Sequence, residues 1–373
     1  MSNSQTGTSP SHSLWSTELR AFMPLFILVP SFIIIAEIVV AQFTDRPSAM
    51  ISGYANLNSL VNAHFLPYLI HRVGAFFILT FMVGSVWLLV RRFFGPAEQA
   101  PLHTQVVEAL KLLIEPDRLI RLGLFILVFV PFMTAFVSFK AVIPFIDPFS
   151  WDATFTQWDR FLHGGVDPWR ITWAIFGSPL GTAFLDWVYG TWFVVVLSAP
   201  FACLYFDPDP ARRMRFVMTH ALLWILLGSF MAAALASAGP CYYEAIHGHD
   251  GGFAPLMERL YALHEVKPLT AIILQENLLQ AFQGIDGRFE GVSAMPSLHI
   301  AQVVLLALLA QTYNRILGIT AWVYAGLIFI GSVHLGWHYA VDGYVAAVAT
   351  VGIWWGLGKV RFSVPEEPSK TTR

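Results

Sequence analysis

The feature that most constrains this chain is a succession of apolar stretches, each close to the roughly 20 residues that a helix needs to cross the hydrocarbon core of a bilayer. They lie at residues 21–42, 70–90, 119–139, 183–205, 214–238, 296–312, 316–336 and 338–358. Of the 373 residues 56% are hydrophobic and only 12% are charged, where a soluble domain has about a quarter of its residues charged. The expected fold is therefore an all-α integral membrane protein with about eight transmembrane helices. A net charge of -2 with scattered basic residues argues against nucleic acid as a partner. Cys203 lies in an apolar run and Cys241 in a polar loop, so neither a metal site nor a disulfide is expected from the two cysteines.

Lysine and arginine set the expected orientation, because cytoplasmic loops carry an excess of them. Fourteen of the 22 fall on one set of segments, among them Arg91, Arg92, Lys111, Arg212, Arg213, Arg215, Arg315 and Lys359. That set includes both termini, which are expected to be cytoplasmic. Segments 43–69, 140–182, 239–295 and the tight turn near 337 then face outward. Residues 1–19 are rich in Ser and Thr and lack the basic start and cleavage site of a secretory signal, so they read as a disordered cytoplasmic tail. Residues 20–118 hold two helices and a cytoplasmic linker, residues 119–358 a six-helix unit, and residues 359–373 a second cytoplasmic tail.

Two outward stretches have helical patterns. In WDATFTQWDRFLHGG, Trp151, Phe155, Trp158 and Leu162 share a stripe with Asp152, Asp159, Arg160 and His163 between them, as in a helix lying among lipid headgroups. LTAIILQENLLQAF reads as a second interfacial helix or a lid.

The polar residues that carry chemistry cluster at the outward ends. In GVSAMPSLHIAQVV, Pro296 suits the first position of a helix, with Ser293 or a neighbour as its cap. The free N–H groups of that start, with the Ser297 hydroxyl, would hold a phosphate next to His299. In GSVHLGWHYAVDGY, His338 and Asp342 are four residues apart and share a helix face. A carboxylate there holds one imidazole nitrogen and leaves the other free as a nucleophile. Lys140, at the outer end of its span, faces the same side, although taken alone it reads equally as a snorkelling cation.

At these residues the sequence resembles the type 2 phosphatidic acid phosphatase superfamily, whose motifs run K-x6-R-P, P-S-G-H and S-R-x5-H-x3-D, and within it the inositol phosphorylceramide synthase (inositolphosphotransferase) branch. The matching positions are Lys140 with Asp147 and Pro148; Pro296, Ser297, Leu298 and His299; and Ser332, His338 and Asp342. The resemblance covers about 120–358 and implies that the last six helices form the catalytic bundle. It further implies that His338 attacks phosphorus to form a phosphohistidine, that Asp342 orients it, and that His299 protonates the leaving oxygen. Lys140 and Ser297, with Pro296, would bind the phosphate, and no cofactor is called for. The partners so implied are a membrane lipid phosphate and an alcohol or water acceptor. The setting implied is a plasma membrane with the site facing the exterior. Both motif arginines are absent, Asp147 and Ser332 standing in their places, so Arg160, Arg288 or His334 is expected to supply donors instead. Two other readings compete: a metal or haem protein using His334 and His338, and a transporter with ionisable groups at mid-membrane depth.

Overall fold

The computed structural model of the chain describes residues 10–43, 115–284, 291–360 and 362. Every regular element among them is helical. Five spans form as read, as α1 (Pro10–Phe43), α2 (Pro116–Ile146), the pair formed after two shorter helices by Pro179–Gly190 and Trp192–Phe206, the rod beginning at Pro210, and Arg315–His334. The last span runs Ala340–Leu357, and Leu298–Tyr313 is a shorter apolar helix. The expected span at 70–90 lies outside the described residues, as do Arg46, Arg91 and Arg288.

Between α2 and the first broken span lie α3 (Asp152–Leu162) and α4 (Pro168–Phe176); the span itself is α5 (Pro179–Gly190) continued, after Thr191, by α6 (Trp192–Phe206). The next rod is α7 (Pro210–Leu222), which widens into a π-helix over Leu223–Met231 before ending at Ala234. The segment that follows contains α8 (Ala254–Val266) and α9 (Thr270–Phe282), then come α10 (Leu298–Tyr313), α11 (Arg315–His334) and α12 (Ala340–Leu357).

The helices are sorted by an apolar solvent rather than by water. On α1, Leu25, Val29, Phe32, Ala36 and Val40 recur every three or four residues and are buried, while Ile27, Ile34 and Ile38 are exposed. The same holds for exposed Leu127, Ile316 and Val348, and such apolar outer faces suit lipid. The buried stripe of α1 packs on α2, with Phe32 and Phe132 edge to face at 5.5 Å. At the opposite end, α10 and α11 are joined through Asn314 alone, whose side chain accepts the Leu317 N–H at 2.8 Å and so caps α11.

Polar groups turn inward, and at one end of the bundle they staple short helices to it. Asp186 on α5 accepts the N–H groups of Thr270 and Ala271 at 2.9 and 2.8 Å, so α9 is capped from another helix. Asp152 on α3 takes the N–H groups of Ala238 and Gly239 at 2.9 and 3.1 Å. This corrects the reading of α3: Asp152, Phe155 and Asp159 are buried against protein, and Trp158, Phe161 and Leu162 face outward. A solvated acidic face would leave its carboxylates in water; here backbone donors take that place.

Candidate active site

The site forms where α10 and α12 begin. Ser297 is the N-cap of α10, its hydroxyl oxygen accepting the Ile300 N–H at 3.4 Å, and the helix starts at Leu298. Pro296 therefore sits one residue before the cap rather than at the first helical position, and Ser297, not Ser293, does the capping. The reason is upstream: Ala294 N–H reaches Ser237 O at 2.8 Å and Met295 N–H reaches Ser237 Oγ at 3.0 Å, which ties this stretch to Ser237 and keeps it out of the helix. Gly291 is required at its place because a Cβ there would run into the Lys140 carbonyl. The loop thus lies directly against α2 at Lys140 and Ala141.

The mouth of α12 is tied as tightly. Ser332 O accepts the N–H groups of Trp337 and His338 at 2.9 and 3.2 Å, which closes the turn after α11. Asp342, fully buried on the first turn of α12, accepts the Tyr339 N–H and His338 Nδ1 on one oxygen, both at 3.1 Å. Its other oxygen has no hydrogen-bond partner among the described residues. With Nδ1–H donated to the carboxylate, the lone pair of His338 is left on Nε2.

The two mouths meet. The Ser297 N–H reaches Asp342 O at 3.3 Å, and the rings of His299 and His338 stand 5.7 Å apart, edge to face at 61°. His338 is buried, and burial, with the Lys140 charge as the next cause, pushes its pKa down to about 3, so it is a free base at neutral pH. Lys140 thus bears on the pair from α2. Ser297 Oγ accepts one N–H and keeps its own proton for donation.

His299 is held by ring faces. Tyr189 stacks on it at 4.8 Å, Trp192 lies against it at 4.2 Å, and Phe193 meets it edge-on at 6.0 Å. Trp192 also donates its Nε1–H to the His299 carbonyl at 2.9 Å. Neither aromatic was singled out by sequence, and DWVYGTWF gives no local sign that its residues three apart face α10. Leu298, where the motif has glycine, fits because Gly228 in the π-helical stretch of α7 has no side chain: a Cβ on Gly228 would lie 2.6 Å from the Leu298 side chain.

The other expected residues lie elsewhere. His334 is fully buried, stacks on Trp173 at 4.7 Å and pairs through Nε2 with Thr182 Oγ1 at 3.0 Å, so it belongs to the packing of α11 against α4 and α5. The His334 and His338 rings are drawn to different partners. Arg160 is committed to Asp167 at 2.5 Å and to the Gly251 carbonyl, and Arg288 lies outside the described residues. Asp147 closes a local turn through Ser150, and Ser332 donates to Phe329 O, so neither motif-arginine position supplies a cation. A mid-span histidine that sequence reading passed over, His220, has both nitrogens engaged, Nδ1 by Gln302 at 2.8 Å and Nε2 by Trp224 at 3.2 Å.

Comparison with known proteins places the geometry in a family. No curated protein matches the chain, and no solved structure does. A family model described as the PAP2 superfamily matches residues 153–357, a segment that carries both histidines and Asp342 and leaves Lys140 just outside. Covering more than half of the chain and both helix mouths, that match shows that the protein belongs to the PAP2 superfamily and is a phosphatase or phosphotransferase enzyme acting on lipid phosphate.

Proposed function

We propose that the protein is a membrane lipid phosphotransferase that works through a phosphohistidine on His338 and delivers the phosphate, or a phospho-headgroup, to an alcohol. The observation that carries this reading is the 5.7 Å approach of the two imidazoles with Asp342 hydrogen-bonded to one of them. His338 Nε2 donates its electron pair to phosphorus, the P–N bond forms, and the P–O bond to the lipid alkoxide breaks as His299 delivers a proton to that oxygen. In the second half the acceptor hydroxyl gives its proton to His299, its oxygen bonds to phosphorus, and the P–N bond breaks. Lys140, the Ser297 hydroxyl and the N–H groups at the start of α10 hold the non-bridging oxygens. Leu298 and the absent arginines favour an alcohol over water as acceptor, being features of the inositolphosphotransferase branch.

The reading includes a setting. The His299–His338 end of α10 and α12 is opposite the end where Arg215 grips the Trp354 carbonyl and Arg212 grips Asp207. The basic end is the cytoplasmic one by the loop-charge rule, so the site faces the exterior of a plasma membrane and both termini are cytoplasmic. Residues 119–358 form the catalytic unit.

The test is capture of the intermediate. Incubating the purified protein with phosphorus-labelled phosphatidate in mixed micelles should yield an acid-labile, alkali-stable adduct, absent in His338→Ala and, in His299→Ala, slow to form but retained once formed, because both halves of the reaction lose their proton carrier. A wild-type adduct in His338→Ala removes the proposal. Phosphate release that needs no added alcohol turns the reading to the phosphatase.

A further inference from the structure

The interfacial helix α3 takes no part in the chemistry above, yet both its buried carboxylates reach the mouth of α12. Asp159 accepts the N–H groups of Ala340 and Val341, each at 2.8 Å. Asp152 accepts the Tyr339 hydroxyl at 2.8 Å, besides its bonds to the Ala238–Gly239 backbone and to His247 Nε2 at 2.9 Å. The first N–H groups of a helix have no partner inside it, and two of those of α12 are satisfied from a helix about 180 residues earlier in the chain. Residues 339, 340 and 341 are thus gripped from one side. The residue before them is His338, and the residue after them is Asp342.

We propose that Asp159, together with Asp152, is a positioning residue for the reaction: α3 clamps residues 339–341 and thereby sets the angle between the His338 ring and the Asp342 carboxylate. The proposal rests on the reading of His338 as the nucleophile. A nucleophile held about 1 Å out of line loses on the order of 10²-fold in rate, and the clamp acts on the three residues that fix that line. The outer face of α3 leaves Trp158, Phe161 and Leu162 exposed, an apolar face of the kind that seats a helix among lipid headgroups.

The clamp has a pH dependence of its own. Burial raises the Asp159 carboxyl to about 6, against the pull of its two backbone donors. The titratable groups around it are Asp342 and Tyr344 on α12 and His163 at the end of α3, whose Nδ1–H is donated to Asp159 O while Nε2 pairs with the Tyr344 hydroxyl at 3.0 Å. Above pH 6 the carboxylate accepts both N–H groups; protonated, it keeps one good acceptor oxygen and releases the other donor. His338, at about 3, remains a free base across that range. Turnover should therefore fall as pH drops through about 6 although the nucleophile is unchanged.

The full chain in mixed micelles, assayed with phosphorus-labelled phosphatidate and an alcohol acceptor, tests this. Asp159→Asn should lower kcat about 10- to 100-fold with KM little changed, and its acid limb near pH 6 should disappear. Tyr339→Phe, which removes only the hydroxyl donated to Asp152, should lower kcat several-fold with thermal unfolding unaltered. Wild-type kcat and a wild-type acid limb in Asp159→Asn, beside an inactive His338→Ala, overturn the clamp alone. The same is true if Asp159→Asn merely unfolds and Tyr339→Phe turns over like wild type. Full turnover in His338→Ala overturns the reading of the nucleophile instead, and the clamp with it.

Discussion

At the mouth of α12, His338 is set by hydrogen bonds: its Nδ1 to Asp342, its backbone N–H to Ser332, and the residues after it to Asp152 and Asp159. At the mouth of α10, His299 is set by ring contacts, with Tyr189 stacked on it, Trp192 packed against it and a backbone tie to the Trp192 indole. The difference suits a division of labour. A nucleophile must present one nitrogen in one tautomer, which a carboxylate enforces directionally. A group that gives up and takes back a proton must exist in two charge states, and aromatic faces accommodate both, stacking on the neutral ring and attracting the cation.

The sharpest way to break that comparison is to change the leaving group. General acid catalysis is worth about 10²- to 10⁴-fold and shrinks as the departing oxygen becomes a better leaving group. His338→Ala should be inactive towards both phosphatidate and an aryl phosphate such as p-nitrophenyl phosphate. His299→Ala should be strongly impaired on phosphatidate and close to wild type in adduct formation on the aryl ester. Equal impairment of His299→Ala on the two substrates would end its assignment as the acid.

A second, smaller effect tests the carboxylate. In Asp342→Asn the shape is kept, but the amide offers an N–H where the ring needs an acceptor, so the imidazole turns to the wrong tautomer. The equivalent change in a serine-protease triad lowers kcat by about 10⁴-fold. Here the expected loss is on the order of 10²-fold or more, falling on adduct formation and not on its breakdown, as pre-steady-state labelling would resolve. Loss in the breakdown step alone would mean that Asp342 serves His299 rather than His338.

How much of this was legible in the sequence follows from the range of each interaction. Spans announce themselves because crossing lipid takes a run of apolar residues, and the described ones fall within a few residues of where hydropathy puts them, except α1, whose helix already starts at Pro10 in the stretch read as a disordered tail, and α2, which runs on to Ile146. The His338–Asp342 contact is local, four residues on one helix, and was visible as such. A serine cap beside Pro296 was visible, but the wrong serine was favoured and the helix start was placed two residues early, at Pro296 instead of Leu298, because the Ser237 bonds to Ala294 and Met295 come from far along the chain, 58 residues in the case of Met295. Tyr189 and Trp192 were invisible, since aromatic residues are common in spans and nothing local says which helix packs opposite α10. The acids of α3 were misread for the same reason: an Asp capping another helix looks, in one dimension, like an Asp facing water.

Leu298 offers the finest test, because it asks whether the aromatic mouth tolerates a change in its floor. Its side chain lies where Gly228 leaves space, and a Cβ at Gly228 would come within 2.6 Å of Leu298 and 2.8 Å of Phe136. Overpacking of this kind costs about 1–3 kcal/mol. Gly228→Ala should therefore lower thermal stability and push the first turn of α10 towards the substrate, with a several-fold loss of turnover. Leu298→Ala alone should cost stability by leaving a void, about 2–5 kcal/mol for a fully enclosed leucine and less here, where Leu298 is only half-buried. The two changes together remove the clash and refill the void, so their effects should be less than additive, with a coupling of about 0.5–3 kcal/mol. Additivity of Gly228→Ala and Leu298→Ala in stability would show that the two do not share that space. A double variant that regains stability without regaining turnover would show that Leu298 touches substrate as well as Gly228, and that the floor of the mouth takes part in selecting what enters it.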